Sequence, residues 1–302
     1  MTAPLELRQV LGWWSWRPWV LLGLTAASAT YARGVARLWA NAGVGHGIRR
    51  LSVAAYGAGM ASLIVALVSP LDPLAALLFS AHMSQHELLM LVAAPLIVMG
   101  HPIIALLWAV PTAVRDRLLR ASKQPTTHAV WHATTHPIVA LIVHAVVLWA
   151  WHVPYLFEAA MRNEPLHAVQ HLMFFGTAAL FWWSLLAGRY GRAGYGVAVL
   201  FVFATGLHTG LLGVLLTFAR RLWYPIYDAR ARGIGTDPLS DQTLAGLIMW
   251  IPAGAILFVF GLGLLAAWVA EAERRARRND FAASDASRQL QVQGAEGRQR
   301  HV

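Results

Sequence analysis

The chain has 302 residues, of which 58% are hydrophobic and 13% are charged, and its formal net charge is +10. Soluble domains carry about 25% charged residues, so this composition excludes an ordinary water-soluble protein. The positive charge comes mostly from arginines that flank apolar segments, which indicates contact with a lipid bilayer and not with nucleic acid. The chain contains no cysteine, so disulfides and thiolate metal sites are excluded as well.

Apolar segments of about 20 residues, the length that crosses a hydrocarbon core of ~30 Å, recur along the chain. We therefore predict an all-α fold, a polytopic transmembrane helix bundle with about seven spans in residues 1–270. The segment Ile103–Val110 is too short to span and lies between two prolines, so we predict an interfacial or re-entrant piece there. Residues 271–302 form a polar, Arg-rich cytoplasmic tail that we predict to be disordered. The predicted spans are residues 17–39, 51–69, 75–99, 137–156, 166–187, 196–218 and 243–270.

The distribution of lysine and arginine predicts the orientation of the bundle. Most of the basic residues fall on the side that also receives the C-terminal tail, whereas the loop around residues 220–232 is an exception. We therefore predict the N-terminus outside and the C-terminus in the cytoplasm. Arg33 and Arg37 lie near the inner end of the first predicted span, where long side chains can reach the interface.

Histidines occur inside the predicted spans, where polar residues are costly and are usually retained for a reason. His82 and His86 are four residues apart in the third span, and His167 and His171 repeat this spacing in the fifth, so each pair shares one helical face. His152 ends the fourth span. The predicted orientation places all five in the outer half of the bilayer.

Two facing pairs of this kind offer four imidazole nitrogens, a pattern that helix bundles use for metals and haems. Imidazole suits copper, zinc and iron, and the nearby Met83, Met90 and Met173 favour Cu(I). We therefore predict a copper site with ligands His82, His86, His152, His167 and His171. Residues predicted to surround and orient these ligands are Asp72, Gln85, Met83, Met90, Asp241, Gln242 and Met249.

The remaining histidines have simpler interpretations. A single intramembrane histidine is often an interhelical hydrogen-bonding residue, and this is the interpretation that we favour for His144 and His208. His128, His132 and His136 also repeat every four residues, but on the cytoplasmic side. We favour a solvated segment there, with a cytoplasmic metal site as the alternative.

Several ordered motifs over residues 50–270 resemble the CtaG-type, caa3-oxidase family of polytopic cytochrome c oxidase assembly factors. Two positions depart from the family pattern, because Glu87 replaces an apolar residue and Phe157 replaces a tyrosine. The motifs are Ser69-Pro70-Leu71-Asp72, His82-Met83-Ser84-Gln85-His86, Gly100-His101-Pro102, Trp151-His152-Val153-Pro154, His167 with His171, and Asp241-Gln242 followed by Met249-Trp250-Ile251-Pro252.

This resemblance implies a non-enzymatic role in building haem-copper oxidase in the bacterial plasma (inner) membrane. It also implies that copper is supplied to the buried copper centre of the oxidase catalytic subunit. The expected partners are that subunit or other oxidase assembly proteins.

Two other functions compete with this interpretation. A copper transporter would need ligands across the bilayer, and His101, His144, His208 and Met249 could provide them. An oxidoreductase would hold haem b between paired histidines. We rank the oxidoreductase lowest, because each histidine pair lies along a single helix.

Overall fold

The computed structural model describes residues 10, 12–186 and 194–299, with the side chains of the last helix described as far as residue 280. This part of the chain is helical and contains no strand, which confirms the all-α class. The helices are α1 (Pro18–Ala42), α2 (Arg50–Leu67), α3 (Leu71–Leu77), α4 (Phe79–Met99), α5 (Pro102–Ala109), α6 (Thr112–Ser122), α7 (Pro125–Thr134), α8 (Pro137–His152), α9 (Pro154–Arg162), α10 (Glu164–Leu186), α11 (Gly194–Thr217), α12 (Ile226–Gly233) and α13 (Pro238–Gln299).

Five helices are long and apolar enough to cross a membrane, namely α2, α4, α10, α11 and α13. The pair α7 and α8, which meet at a bend of 58°, forms a sixth span if it is taken as one unit. This confirms a polytopic helix bundle, with five or six candidate spans in the described residues where the sequence predicted about seven. The helix at the first predicted span, α1, is not in this set, although it has 25 residues. Its two intrahelical arginines, Arg33 and Arg37, make it less apolar. The orientation of the termini stays a prediction.

Three boundaries differ from those predicted. The predicted third span is interrupted at Leu78, whose extended backbone separates α3 from α4. The predicted fourth span ends at His152, because Pro154 lacks the amide that would continue the helix and begins α9 instead. The C-terminal tail, predicted to be disordered, continues α13 to Gln299. Its alanine, glutamate, arginine and glutamine residues are strong helix formers.

Helix α4 contains a π-helical turn, Leu88–Ala93, directly after Glu87. The backbone N–H of Ala94 donates to the carbonyl of Leu89, five residues earlier. Pro95 follows, and a proline ring has no N–H and clashes with the carbonyl four residues before it. The wider turn accommodates this proline inside a continuous helix and sets which residues of α4 face its neighbours.

Close packing joins α1 to α5. A Cβ added at Gly34 would overlap the backbone oxygen of Ala105, so only glycine permits this approach. The Tyr31 hydroxyl donates to the carbonyl of Gly100 at 2.8 Å, and the Tyr31 ring stacks on Tyr56 with centroids 3.6 Å apart. The short helix α5, predicted as an interfacial or re-entrant piece, therefore packs along α1 in the structure.

Helices α4, α10 and α13 all begin at one end of the bundle, and α8 ends there. Asp241 near the start of α13 binds the backbone N–H of Phe79 at the start of α4. Arg17, just before α1, pairs with Glu164 at the start of α10. We call this the histidine end of the bundle, because His82, His152 and His167 lie near these termini.

Candidate metal centre

Four imidazoles meet at the histidine end, contributed by α4 and α10. Each can offer one ring nitrogen to a group in which all four nitrogens lie within 4.8 Å of one another. Within each helix the two ring centroids are 4.2 Å apart, as expected for residues one turn apart on one face. Between the helices, the centroids of His82 and His167 are 5.2 Å apart, and those of His86 and His171 are also 5.2 Å apart. The four-histidine centre thus consists of His82, His86, His167 and His171.

The rings of this centre are removed from water. His82, His86 and His171 are buried, with exposed fractions of 0%, 1% and 9%. Both ring nitrogens of His82 and of His86, and Nε2 of His167 and His171, are buried without a hydrogen-bond partner among the described residues. Buried polar atoms are rarely left unpaired, since each one costs about 1–3 kcal/mol. A shared cation bound to one nitrogen of each ring would remove part of that cost.

His152, predicted as a fifth ligand, lies outside the group. Its Nδ1 is 2.7 Å from the carbonyl of Leu148 in its own helix, and its ring packs against Phe174 with centroids 5.9 Å apart. The His152 carbonyl accepts a hydrogen bond of 2.8 Å from the Tyr224 hydroxyl. Because α8 ends at His152, the His152 side chain lies beside the centre, and the His152 carbonyl is free to bind Tyr224.

The start of α4 is held by Asp241. Its carboxylate accepts hydrogen bonds from the backbone N–H groups of Phe79 at 2.7 Å and Ser80 at 3.3 Å, and from the Ser80 hydroxyl. A carboxylate in this position satisfies the unpaired amides of a helix N-terminus. Asp241 therefore positions α4, and it does not touch the imidazoles in the way that the sequence led us to expect.

Gln85 and Asp72 link α4 to its neighbours in a similar way. The Gln85 amide donates to the carbonyl of Ala66 at 2.7 Å and to the Asp72 carboxylate at 3.0 Å. Asp72 also pairs with Arg17 at 3.3 Å, and Arg17 pairs with Glu164 at 3.2 Å. These bonds connect α1, α2, α3, α4 and α10 around the centre. They support the ligand helices and do not contact the imidazole nitrogens.

The other predicted neighbours have separate roles. Gln242 accepts from the backbone N–H of Trp223 at 2.7 Å and donates to the carbonyl of Arg221 at 3.0 Å, so it holds the loop before α12. Met83 is fully buried in the apolar core. Met90 and Met249 line a cavity further along α4, away from the four imidazoles.

The remaining histidines follow the simpler interpretations in part. Nδ1 of His144 lies 3.1 Å from the Thr177 hydroxyl of α10, the interhelical contact that was predicted. The ring of His208 faces His144 with centroids 6.3 Å apart, but both of its nitrogens are buried without a partner in the described part of the chain. His128 and His132 are exposed, with their Nε2 atoms 3.1 Å apart.

Two polar residues beside the centre, the half-buried Glu87 and the buried Gln170, were not proposed from the sequence as part of a site. Oε2 of Glu87 is buried without a hydrogen-bond partner among the residues described. Gln170, beside His171, is fully buried and its amide is likewise unpaired within that part of the chain. Polarity inside a predicted span was the available signal for both residues.

The four imidazoles fit a metal ion by the chemistry and spacing of their donors. Metal–imidazole bonds are about 2 Å long, which puts the nitrogens of a tetrahedral site about 3.4 Å apart. The observed spread of up to 4.8 Å is wider than this value, so the rings must move closer together to share one ion. Neutral imidazoles suit copper and zinc equally in geometry.

Comparison with known proteins supports an assignment to one family. The family model described as "Cytochrome c oxidase caa3 assembly factor" matches residues 29–271. Two uncharacterized proteins, from Mycobacterium bovis and Mycobacterium tuberculosis, are each 24% identical to the chain over 228 residues, which is 74% of this chain. The chain spans only 34% of the length of each of these curated relatives. No solved structure matches the chain significantly.

Proposed function

Because the chain belongs to the cytochrome c oxidase caa3 assembly factor family, we propose that it holds copper at the four-histidine centre and supplies it to the oxidase catalytic subunit. In this proposal the copper is cargo, bound transiently in a multi-pass protein of the bacterial inner membrane. The protein itself catalyses no reaction. Its partners are the catalytic subunit or other proteins of the oxidase assembly machinery.

One observation carries the copper part of the proposal. Four imidazole nitrogens gather within 4.8 Å in a buried setting, with no competing carboxylate or thiolate in the group. A nitrogen-only donor set favours copper or zinc over hard cations such as Mg²⁺. The close gathering also favours a single ion over a haem, whose porphyrin plane would need to separate the rings.

The surroundings of the centre suit delivery better than permanent storage. A cavity of about 180 Å³ lies against His167 and His171 and is lined mostly by apolar residues of α1, α2, α4 and α10. Arg17 lines the same cavity. In this proposal, the cavity provides a lateral route for the metal toward a neighbouring membrane protein.

Metal analysis of the purified protein tests the proposal. The wild type, loaded with copper and washed free of excess, is expected to retain it, whereas a His82→Ala/His86→Ala variant is expected to lose the copper of this centre. The matched control is His46→Ala, in the loop between α1 and α2. A wild-type protein that retains no copper, or a double variant that retains as much as wild type, contradicts the proposal.

The delivery step needs a separate test in cells. Cells that carry only the double variant are expected to assemble a catalytic subunit deficient in copper, and added copper should restore it in part. Copper uptake by vesicles that contain only this protein would instead favour a transporter.

A further inference from the structure

A second cavity lies deeper in the bundle, beyond the four-histidine centre along α4, and its mostly apolar wall includes several polar side chains. It is enclosed by α4, α8, α10, α11 and α13. Its water-accessible volume is about 30 Å³, and a single water needs roughly 10–15 Å³ on the same measure. The cavity therefore has room for one ion. Its polar and sulfur-containing lining residues are Glu87, Met90, His144, Thr205, Thr209 and Met249.

Glu87 places a carboxyl group, which can serve as a metal ligand, at the wall of this cavity. Its Oε2 atom is buried without a hydrogen-bond partner in the described residues, and the described ion pairs do not include it. An isolated carboxylate in an apolar interior is strongly unfavourable unless a cation lies beside it. A monovalent cation would make the site neutral overall.

The other donors are soft. Met90 and Met249 are buried, with exposed fractions of 5% and 3%, and their side chains meet at the cavity from α4 and α13. His144 approaches from α8, and its Nδ1 is engaged with Thr177, which leaves Nε2 for a metal. Thioether and imidazole donors together select Cu(I) among the first-row metals.

The cavity lies just beyond the four-histidine centre along α4. Met90 is four residues after His86, about one turn or ~6 Å along the axis of a regular helix. The π-helical turn Leu88–Ala93 includes Met90 and begins immediately after Glu87, and such turns often mark functional positions. Glu87 and Met90, which follow His86 in α4, therefore connect the four-histidine centre to the cavity.

We propose that this cavity is a second metal site, which binds one Cu(I) through the Glu87 carboxylate, the His144 imidazole and the thioethers of Met90 and Met249. The inference goes beyond the proposed function, since the two sites share no donor. The inner site contains sulfur donors, whereas the four-histidine centre contains only nitrogen. This difference makes the two sites separable by X-ray absorption spectroscopy.

The test uses the full-length protein, purified in detergent and loaded anaerobically with Cu(I). The wild type is expected to bind two copper ions, with sulfur neighbours at about 2.3 Å, the length of metal–sulfur bonds in zinc sites. A Met90→Leu/Met249→Leu variant should bind one ion and show no sulfur neighbour. A His86→Ala/His171→Ala variant should also bind one ion but retain the sulfur signal. Glu87→Gln, which keeps the shape and removes the charge, should weaken the inner copper at least tenfold.

Met60→Leu is the matched control, because Met60 is buried in α2 away from both sites and should leave copper and spectrum unchanged. Circular dichroism and gel filtration identify any variant that has not folded. Wild-type copper without sulfur neighbours overturns the inner site while the proposed function stands. If wild type binds a single copper with sulfur neighbours, and the His86→Ala/His171→Ala variant still binds it, the inner site stands and the four-histidine centre is overturned. A protein that binds no copper rejects both proposals.

Discussion

The carboxylate of Asp241 accepts a hydrogen bond of 2.7 Å from the backbone N–H of Phe79, 162 residues earlier in the chain. This bond joins the first turn of α13 to the first turn of α4, and His82 lies three residues after Phe79, about one turn further along α4. The position of the four-histidine centre therefore depends on a contact between α4 and α13, a helix that contributes no imidazole to the centre.

Replacement of Asp241 by alanine should destabilise the protein by about 1–3 kcal/mol, because the buried amides of Phe79 and Ser80 lose their acceptor. Thermal unfolding in detergent is the measurement, and the midpoint should fall by several degrees. Asp116→Ala, at an exposed position of α6, is the control and should unfold like wild type. An unchanged midpoint for the Asp241 variant would show that this bond does not hold α4 in place.

Removal of His171 should weaken copper binding far more than removal of His152. His171 belongs to the group of nitrogens within 4.8 Å, whereas His152 lies outside that group. We expect His171→Ala to lower the copper affinity at least tenfold and His152→Ala to change it less than threefold, as measured by competition with a chelator. An equal loss of copper affinity in the two variants would indicate that His152 binds the metal as well.

Substitution of Gly34 by alanine should separate α1 from α5, because the new Cβ would overlap the backbone oxygen of Ala105. Backbone cannot move aside as a flexible side chain can, so we expect a loss of several kcal/mol and poor yields. Gly23→Ala in the same helix has no atom within 4 Å of its new Cβ and should be neutral or stabilising by up to ~1 kcal/mol. Expression and thermal unfolding of the pair are the measurements, and similar behaviour of the two variants would contradict the close approach.

The start of α13 should loosen at low pH. The backbone N–H and hydroxyl of Ser240 donate to the Asp237 carboxylate and hold the pKa of that carboxyl below its usual range. A lowered carboxyl pKa stabilises the folded state above the unfolded value, about 3.9, and this contribution disappears as the pH falls through the folded value. Protection of the Ser240 amide from hydrogen exchange should therefore decrease below about pH 4.

Asp237→Asn provides the matched control for this measurement, because it keeps an acceptor oxygen and cannot titrate. Protection of the Ser240 amide in this variant should vary much less over the same pH range. If wild type and variant lose protection in parallel, the effect comes from another carboxyl group.

Some features of this protein follow from local sequence alone. The length of apolar segments determines where helices can cross a bilayer, and the spacing of His82 with His86, and of His167 with His171, places each pair on one face. Both properties depend only on the 3.6-residue period and 1.5 Å rise of the α-helix, which do not require knowledge of neighbouring helices. The all-α class and the four histidines of the centre were accessible for this reason.

Other features depend on how the helices pack. The position of His152 outside the group of four imidazoles depends on the end of α8 before Pro154. The cavity between Glu87 and His144 exists because α4 and α8 face one another within the bundle. Lateral distances between helices arise from contacts between residues far apart in the chain. The spacing of residues in the sequence gives their position along each helix, but it does not show which helix faces pack together.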